Sequence, residues 1–245
     1  MKRAFHHIAA VGFLLLIGVA CDSSRGRPKP EDEVKPPDKL VNFKLLYSQN
    51  CAGCHGTDGR GGGAVALSDP LYLAIADDES IRHTISMGVA GTPMPAFGIQ
   101  AGGMLTDKQI NVLVSGFRTW AKPNVFMDVN VPSYLERNSG DPRRGAEVYR
   151  QYCSSCHGVD GRGGKASSIV DAAYLELVSN QNLRTNVIVG RPDMGAPDWR
   201  GDVPGNPMTE QDVSDIVAWL VEHRRADSAI RYAISSTVTD TGASQ

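Results

Sequence analysis

What this chain of 245 residues lacks narrows its function before any motif is considered. A surplus of one charge is missing: 25 Lys and Arg face 27 Asp and Glu, a formal net charge of -2. Gripping a phosphate backbone needs clustered excess positive charge, so no nucleic-acid partner is expected. Long apolar runs are missing beyond one near the N-terminus, which excludes a polytopic membrane protein. Aromatic residues make up only 7%. Cysteine is sparse and odd in number, 5 in all, so disulfide pairing cannot account for every thiol. What the chain has instead is glycine and proline, 26 and 14 residues, the mark of a protein rich in loops.

The N-terminal run has the form of an export signal. Lys2 and Arg3 precede an apolar stretch from Ile8 to Ala20, too short to span a bilayer comfortably, and small residues lead to Cys21. Leu16-Ile17-Gly18-Val19-Ala20-Cys21 resembles a bacterial lipobox, in which Cys21 becomes the lipidated first residue, although Gly18 stands where Leu is usual. Residues 1–20 are therefore expected to be a signal peptide. Residues 21–39, with Pro28, Pro30, Pro36, Pro37 and many charges, form a lipid-anchored tether.

The rest of the chain is one pattern used twice. Tyr47, Gln49, Cys51, Cys54, His55 and Gly56 recur as Tyr149, Gln151, Cys153, Cys156, His157 and Gly158, and Asp58-Gly59-Arg60-Gly61-Gly62 recurs as Asp160-Gly161-Arg162-Gly163-Gly164. Each copy closes with an apolar helical pattern opened by a threonine cap. Ile110, Leu113, Val114 and Phe117 follow Thr106, and Val213, Ile216, Val217 and Leu220 follow Thr209. These periodicities are helical throughout, so the fold class is all-α: two small tandem domains over residues 40–122 and 140–226, a connector over 123–139 and a tail over 227–245. Each copy has few apolar residues for its size, so its core needs a non-protein filling.

Cys-x-x-Cys-His, present at Cys51, Cys54 and His55 and again at Cys153, Cys156 and His157, supplies that filling. Two thiols at this spacing can each add to a vinyl group of one haem while the adjacent imidazole reaches the iron. A four-thiolate zinc site and a redox-active dithiol are the rivals, and neither explains the histidine that follows both pairs. Two covalent haem c groups are expected. A methionine thioether is the natural ligand for the opposite face, and Met94 and Met194 stand in matching loops, Gly91-Thr92-Pro93-Met94-Pro95 and Arg191-Pro192-Asp193-Met194-Gly195. Met104 and Met208 are their competitors, Met87 and Met208 have the pattern of core positions, and His83 and His223 lack repeat equivalents. Arg60, Arg162, Arg191 and Trp199 are candidate contacts for haem propionates.

These residues resemble the class I cytochrome c family: a first helix leading into Cys-x-x-Cys-His, a methionine loop, and a closing helix across the first. Gly145 and Tyr149, facing Trp219, match the crossing positions of that family. The first copy departs from it, with Phe43 in place of the glycine and Gly116 in place of the aromatic residue. The stretch Gly-x-x-Met-Pro-Ala-Phe is similar to domains in dihaem subunits of respiratory complexes. The resemblance implies a non-catalytic dihaem carrier of single electrons, working as a tethered protein or as a subunit of a respiratory or photosynthetic complex. Its partners would be redox proteins, and it would lie on the periplasmic side of a bacterial membrane, anchored through Cys21. The alternative is a dihaem peroxidase or the cytochrome subunit of a periplasmic dehydrogenase.

Overall fold

The computed structural model describes residues 29, 34–121, 130–201 and 205–224. The expected signal peptide, Cys21 and the C-terminal tail lie outside the described residues. The chain divides into two compact units, Met1–Leu40 and Val41–Gln245. In the first, a 3-10 turn covers Pro37–Lys39. The second holds both copies of the repeat.

The first copy comprises α1 (Phe43–Asn50), α2 (Ala52–His55), α3 (Pro70–Ile75), α4 (Asp78–Met87) and α5 (Asp107–Arg118). The second repeats the order as α6 (Pro142–Tyr152), α7 (Ser154–His157), α8 (Ala172–Leu177), α9 (Asn180–Val189) and α10 (residues 210–224). Among the described residues there is no β-strand, only isolated bridges between Gly98 and Leu105 and between Arg191 and Ala196. Apart from α2 and α7, which begin at Cys51 and Cys153, short polar side chains start these helices by accepting from otherwise unpaired N–H groups. Thr106 and Gln109 form a reciprocal capping box at α5, and Thr209 and Asp212 do the same at α10.

The apolar stripes anticipated from spacing are the core. Ile110, Leu113, Val114 and Phe117 of α5 are buried, as are Val213, Ile216, Val217 and Leu220 of α10. Each closing helix crosses its first helix at a point with room for only one bulky side chain, and the two copies put that bulk on opposite partners. In the second copy Gly145 lies against the backbone of Asp215 and against Trp219. In the first copy Gly116 of α5 lies against the ring of Phe43 from α1. The aromatic cluster is thereby rebuilt: Phe43 meets Phe117 and Trp120 at ring distances of 5.8 and 5.2 Å, whereas Trp219 stacks on Tyr149 at 4.3 Å.

Candidate functional site

Each Cys-x-x-Cys-His segment sits at a helix break. Cys51 ends α1 and begins α2, and Cys153 stands in the same way between α6 and α7. The break is fastened from the first helix: the Tyr47 hydroxyl donates to the Gly56 carbonyl at 2.6 Å, and that of Tyr149 donates to the Gly158 carbonyl. Around the second cysteine the backbone folds back tightly. A side chain at Gly62 would collide with the Cys54 carbonyl, and one at Gly164 would lie 2.8 Å from the Cys156 carbonyl oxygen. The glycine-rich run is thus a requirement of this close approach.

The two histidines are held alike. His55 Nδ1 lies 2.8 Å from the Val65 carbonyl oxygen, and His157 Nδ1 lies 2.7 Å from that of Ser167. A carbonyl only accepts, so each Nδ1 carries the proton and each Nε2 presents a lone pair, the arrangement of a metal-ligating imidazole. Burial holds the His55 pKa below its ordinary value, the Val65 carbonyl opposes that shift, and the charge of Arg191 adds to it. A neutral ring is thereby favoured. The thiols argue against the dithiol rival. Burial, reinforced by the neighbouring cysteine, pushes Cys51 up to about 12 and Cys153 up to about 11, whereas a reactive cysteine needs the opposite shift. Among the described residues no group of three or more His, Cys, Asp or Glu side chains converges to hold a metal ion, so the two Cys pairs do not assemble a four-thiolate site. Two thiols, a lone-pair nitrogen and a glycine cradle together fit one haem per copy.

The methionine loops follow α4 and α9. Both start at glycines with φ of 67°, Gly88 and Gly190, where the returning loop leaves no space for a side chain. Met94 is fixed through its backbone: its N–H donates to Thr92 Oγ1 at 3.2 Å and its carbonyl accepts from Val89 at 3.0 Å. Met194 ends a 3-10 turn, Pro192–Met194, and its N–H donates to the Arg191 carbonyl at 2.8 Å. Met194 is 70% exposed. Of the competitors, Met208 is a core residue at 6% exposure and Met104 is 81% exposed. Met87 departs from the core placement expected of it: at the end of α4 it is 54% exposed. His83 is exposed, and His223 Nδ1 pairs with the Trp219 carbonyl at 2.9 Å.

Arg60 and Arg162 lie exposed in the glycine-rich loops. Trp199 is buried, its N–H donates to the Ile188 carbonyl at 2.9 Å, and its carbonyl accepts from Met208, as that of Phe97 does from Leu105. Trp199 is therefore the counterpart of Phe97. Arg191 has partners that sequence reasoning missed. It pairs with Asp193 at 3.0 Å and donates to the carbonyl of Gly62, a residue of the other copy, at 2.8 Å. No local pattern announces a contact between residues so far apart in the chain.

The family model for cytochrome c oxidase, cbb3-type, subunit III matches residues 39–115 and 140–220, once per copy. Curated relatives include cbb3-type cytochrome c oxidase subunit CcoP of Azospirillum sp. (strain B510), 27% identical over 58% of this chain and 48% of the relative. That of Cereibacter sphaeroides is 26% identical over 71% and 58%, and that of Rubrivivax gelatinosus 30% identical over 67% and 52%. The chain spans about half the length of the curated relatives it matches. With its two matched regions and its duplicated Cys-x-x-Cys-His sites, the chain belongs to the family of cbb3-type cytochrome c oxidase subunit III, and its cofactors are two haem c groups.

Proposed function

We propose that this protein is a dihaem electron-transfer subunit or carrier, with cytochrome c domains over residues 40–122 and 140–226, that passes single electrons between a membrane oxidase complex and a redox protein. The observation that carries this reading is the repetition, in both copies, of a Cys-x-x-Cys-His helix end whose histidine keeps Nε2 available. Cys51 and Cys54 would hold one haem and Cys153 and Cys156 the other, with His55 and Met94, and His157 and Met194, as the ligands of the irons. Bound there, each haem would supply one-electron iron redox chemistry.

The residues around the sites serve to limit rearrangement. Val65 and Ser167 fix the imidazole planes, Tyr47 and Tyr149 brace the attachment loops, and Gly88 and Gly190 set where the methionine loops turn back. Arg60 and Arg162 are proposed to meet the propionates, with Arg191 and Trp199 near them. Export by residues 1–20 and lipidation at Cys21 would place the domains on the periplasmic side of the membrane. Among the described residues no helix is long and apolar enough to cross a membrane.

The test is spectroscopic. The oxidised protein should show methionine-to-iron charge-transfer absorption from both haems, and Met94→Ala and Met194→Ala should each remove one contribution. A substitution that leaves the absorption intact refutes the ligand assignment for that copy, and steady-state peroxidase turnover by the intact protein refutes the carrier reading.

A further inference from the structure

The second copy's methionine loop is also the part of that copy that reaches the first copy's attachment loop. Two hydrogen bonds cross between them. The Gly61 N–H donates to Asp193 Oδ2 at 2.9 Å, and Arg191 Nη2 donates to the Gly62 carbonyl at 2.8 Å. The two side chains are tied to each other, Nε to Oδ1 and Nη2 to Oδ2, both at 3.0 Å, and they are only 17% and 11% exposed. A two-point ion pair matched to a backbone donor and a backbone acceptor fixes orientation as well as distance. On one side of it, Asp193 is bonded directly to Met194, whose N–H donates to the Arg191 carbonyl at 2.8 Å. On the other, Gly62 abuts the Cys54 carbonyl, which accepts from Ala64 at 3.0 Å. The same junction is reinforced at a distance: Tyr72 of α3 meets the connector's Tyr134 at 6.4 Å, and the Tyr134 carbonyl accepts from Gln181 of α9 at 2.8 Å.

We propose that Arg191 and Asp193 are positioning residues for electron exchange within the molecule, a docking key that seats the Met194 loop on the Cys54–Gly62 loop and sets the bonded route between the two haem sites. The inference rests on the haem assignment made under Proposed function. The step itself is a bare one-electron exchange, in which one iron is oxidised as the other is reduced, with no proton moved and no bond made or broken.

The experiment uses the full chain carrying both haems, with Arg191→Gln and Asp193→Asn. In the unsubstituted protein the Gly61 amide, though on an exposed loop, should be protected from hydrogen exchange by about tenfold or more, and each substitution should remove that protection. Intramolecular electron equilibration after flash reduction should slow by about tenfold or more in both variants. The midpoint potential of the first copy should fall in Arg191→Gln, which leaves a negative charge beside it, and rise in Asp193→Asn, which leaves a positive one. Opposite shifts report that the pair lies beside the first haem site, and slowed equilibration together with lost Gly61 protection is what separates a docking key from bystander charges. An unprotected Gly61 amide in the unsubstituted protein overturns the key whichever way the variants fold, and so do potentials that move together or not at all. Failure of the underlying reading looks different: the mass of the intact chain would then lack covalent haem at one or both Cys pairs.

Discussion

Replacing Gly145 with alanine sets two effects of opposite sign against each other. Gly145 lies within α6, and intrinsic helix propensity alone predicts a gain of about 1 kcal/mol. The crossing predicts a loss. The added methyl would overlap the Asp215 carbonyl oxygen, lying 2.7 Å from its carbon and 2.9 Å from Trp219 Cβ. Comfortable carbon contacts are about 3.5–4.0 Å, so α6 and α10 would have to separate by roughly 1 Å. They cannot do so freely, because Ser214, Asp215 and Ile216 are wholly buried and Trp219 is stacked on Tyr149 at 4.3 Å. Overpacking against a backbone that cannot yield belongs at the top of the usual range, about 3 kcal/mol, leaving a net loss of about 2 kcal/mol. For a domain of this size that is a fall of roughly 10 °C in melting temperature. Thermal unfolding of the haem-loaded chain, with hydrogen exchange read in α6 and α10, measures it. Unchanged or increased stability would refute the crossing argument, since propensity would then have won. Gly116→Ala is the control. There the methyl meets the Phe43 ring, a side chain that borders an open groove with Lys108, Val112 and Thr119, so the cost should be about 1 kcal/mol or less.

Three further perturbations probe what holds the sites. Tyr47→Phe and Tyr149→Phe each remove the hydroxyl donor from a loop carbonyl that keeps only the longer bond from the Gly59 or Gly161 N–H, at 3.3 Å, and should cost about 1 kcal/mol in chemical denaturation of the loaded protein. Arg118→Ala should free the carbonyls of Leu73 and Ala76, and Arg224→Ala those of Leu175 and Val178; each should raise hydrogen exchange in the helix it caps, α3 or α8. Burial raises the pKa of Asp212, but hydrogen bonds from the Thr209 amide and hydroxyl and from Arg144 outweigh it and hold the folded value below the ordinary 3.8. A depressed carboxylate stabilises fully above its unfolded pKa and loses that contribution as pH falls through the folded one. Stability should therefore decline below about pH 4, and Asp212→Asn should flatten that decline; a slope unchanged by the substitution would refute the assignment.

Much of the fold was legible because its signals are local. Apolar residues at helical spacing named the buried faces of α5 and α10, and Thr106 and Thr209 marked where those helices begin. Cys-x-x-Cys-His is likewise contiguous, and its duplication made a short motif specific. The exposure of Met87 was not legible: its partner Val189 is buried, and alignment of the two copies carried that burial over to a position where it does not hold. The Arg191 contact with Gly62 was out of reach for a different reason. It depends on how the two copies face each other, and nothing in either copy's own sequence specifies a partner in the other.

The internal repeat hides a further regularity, because the two copies perform the same tasks from different turns of their closing helices. In the first copy the indole against the loop glycine Gly59 belongs to Trp120; in the second, the indole against the equivalent Gly161 belongs to Trp219, which aligns with Gly116, one turn earlier. The guanidinium that caps α3 comes from Arg118, whereas the one that caps the equivalent α8 comes from Arg224, displaced from the aligned position in the opposite direction by about one turn. A side chain three or four residues away on a helix occupies the same face, so a long residue can move by a turn and still reach its old target. The exchange of Phe43 and Gly116 for Gly145 and Trp219 is tied to this shift. Once Phe43 fills the crossing from α1, an aromatic residue at position 116 has no room, and the indole that braces the loop must come from position 120. Alignment by position therefore understates how alike the copies are. The two copies share the side-chain types that do each task, a Trp against the loop glycine and an Arg on the third helix's last carbonyls, while the position each comes from on the closing helix differs by about a turn.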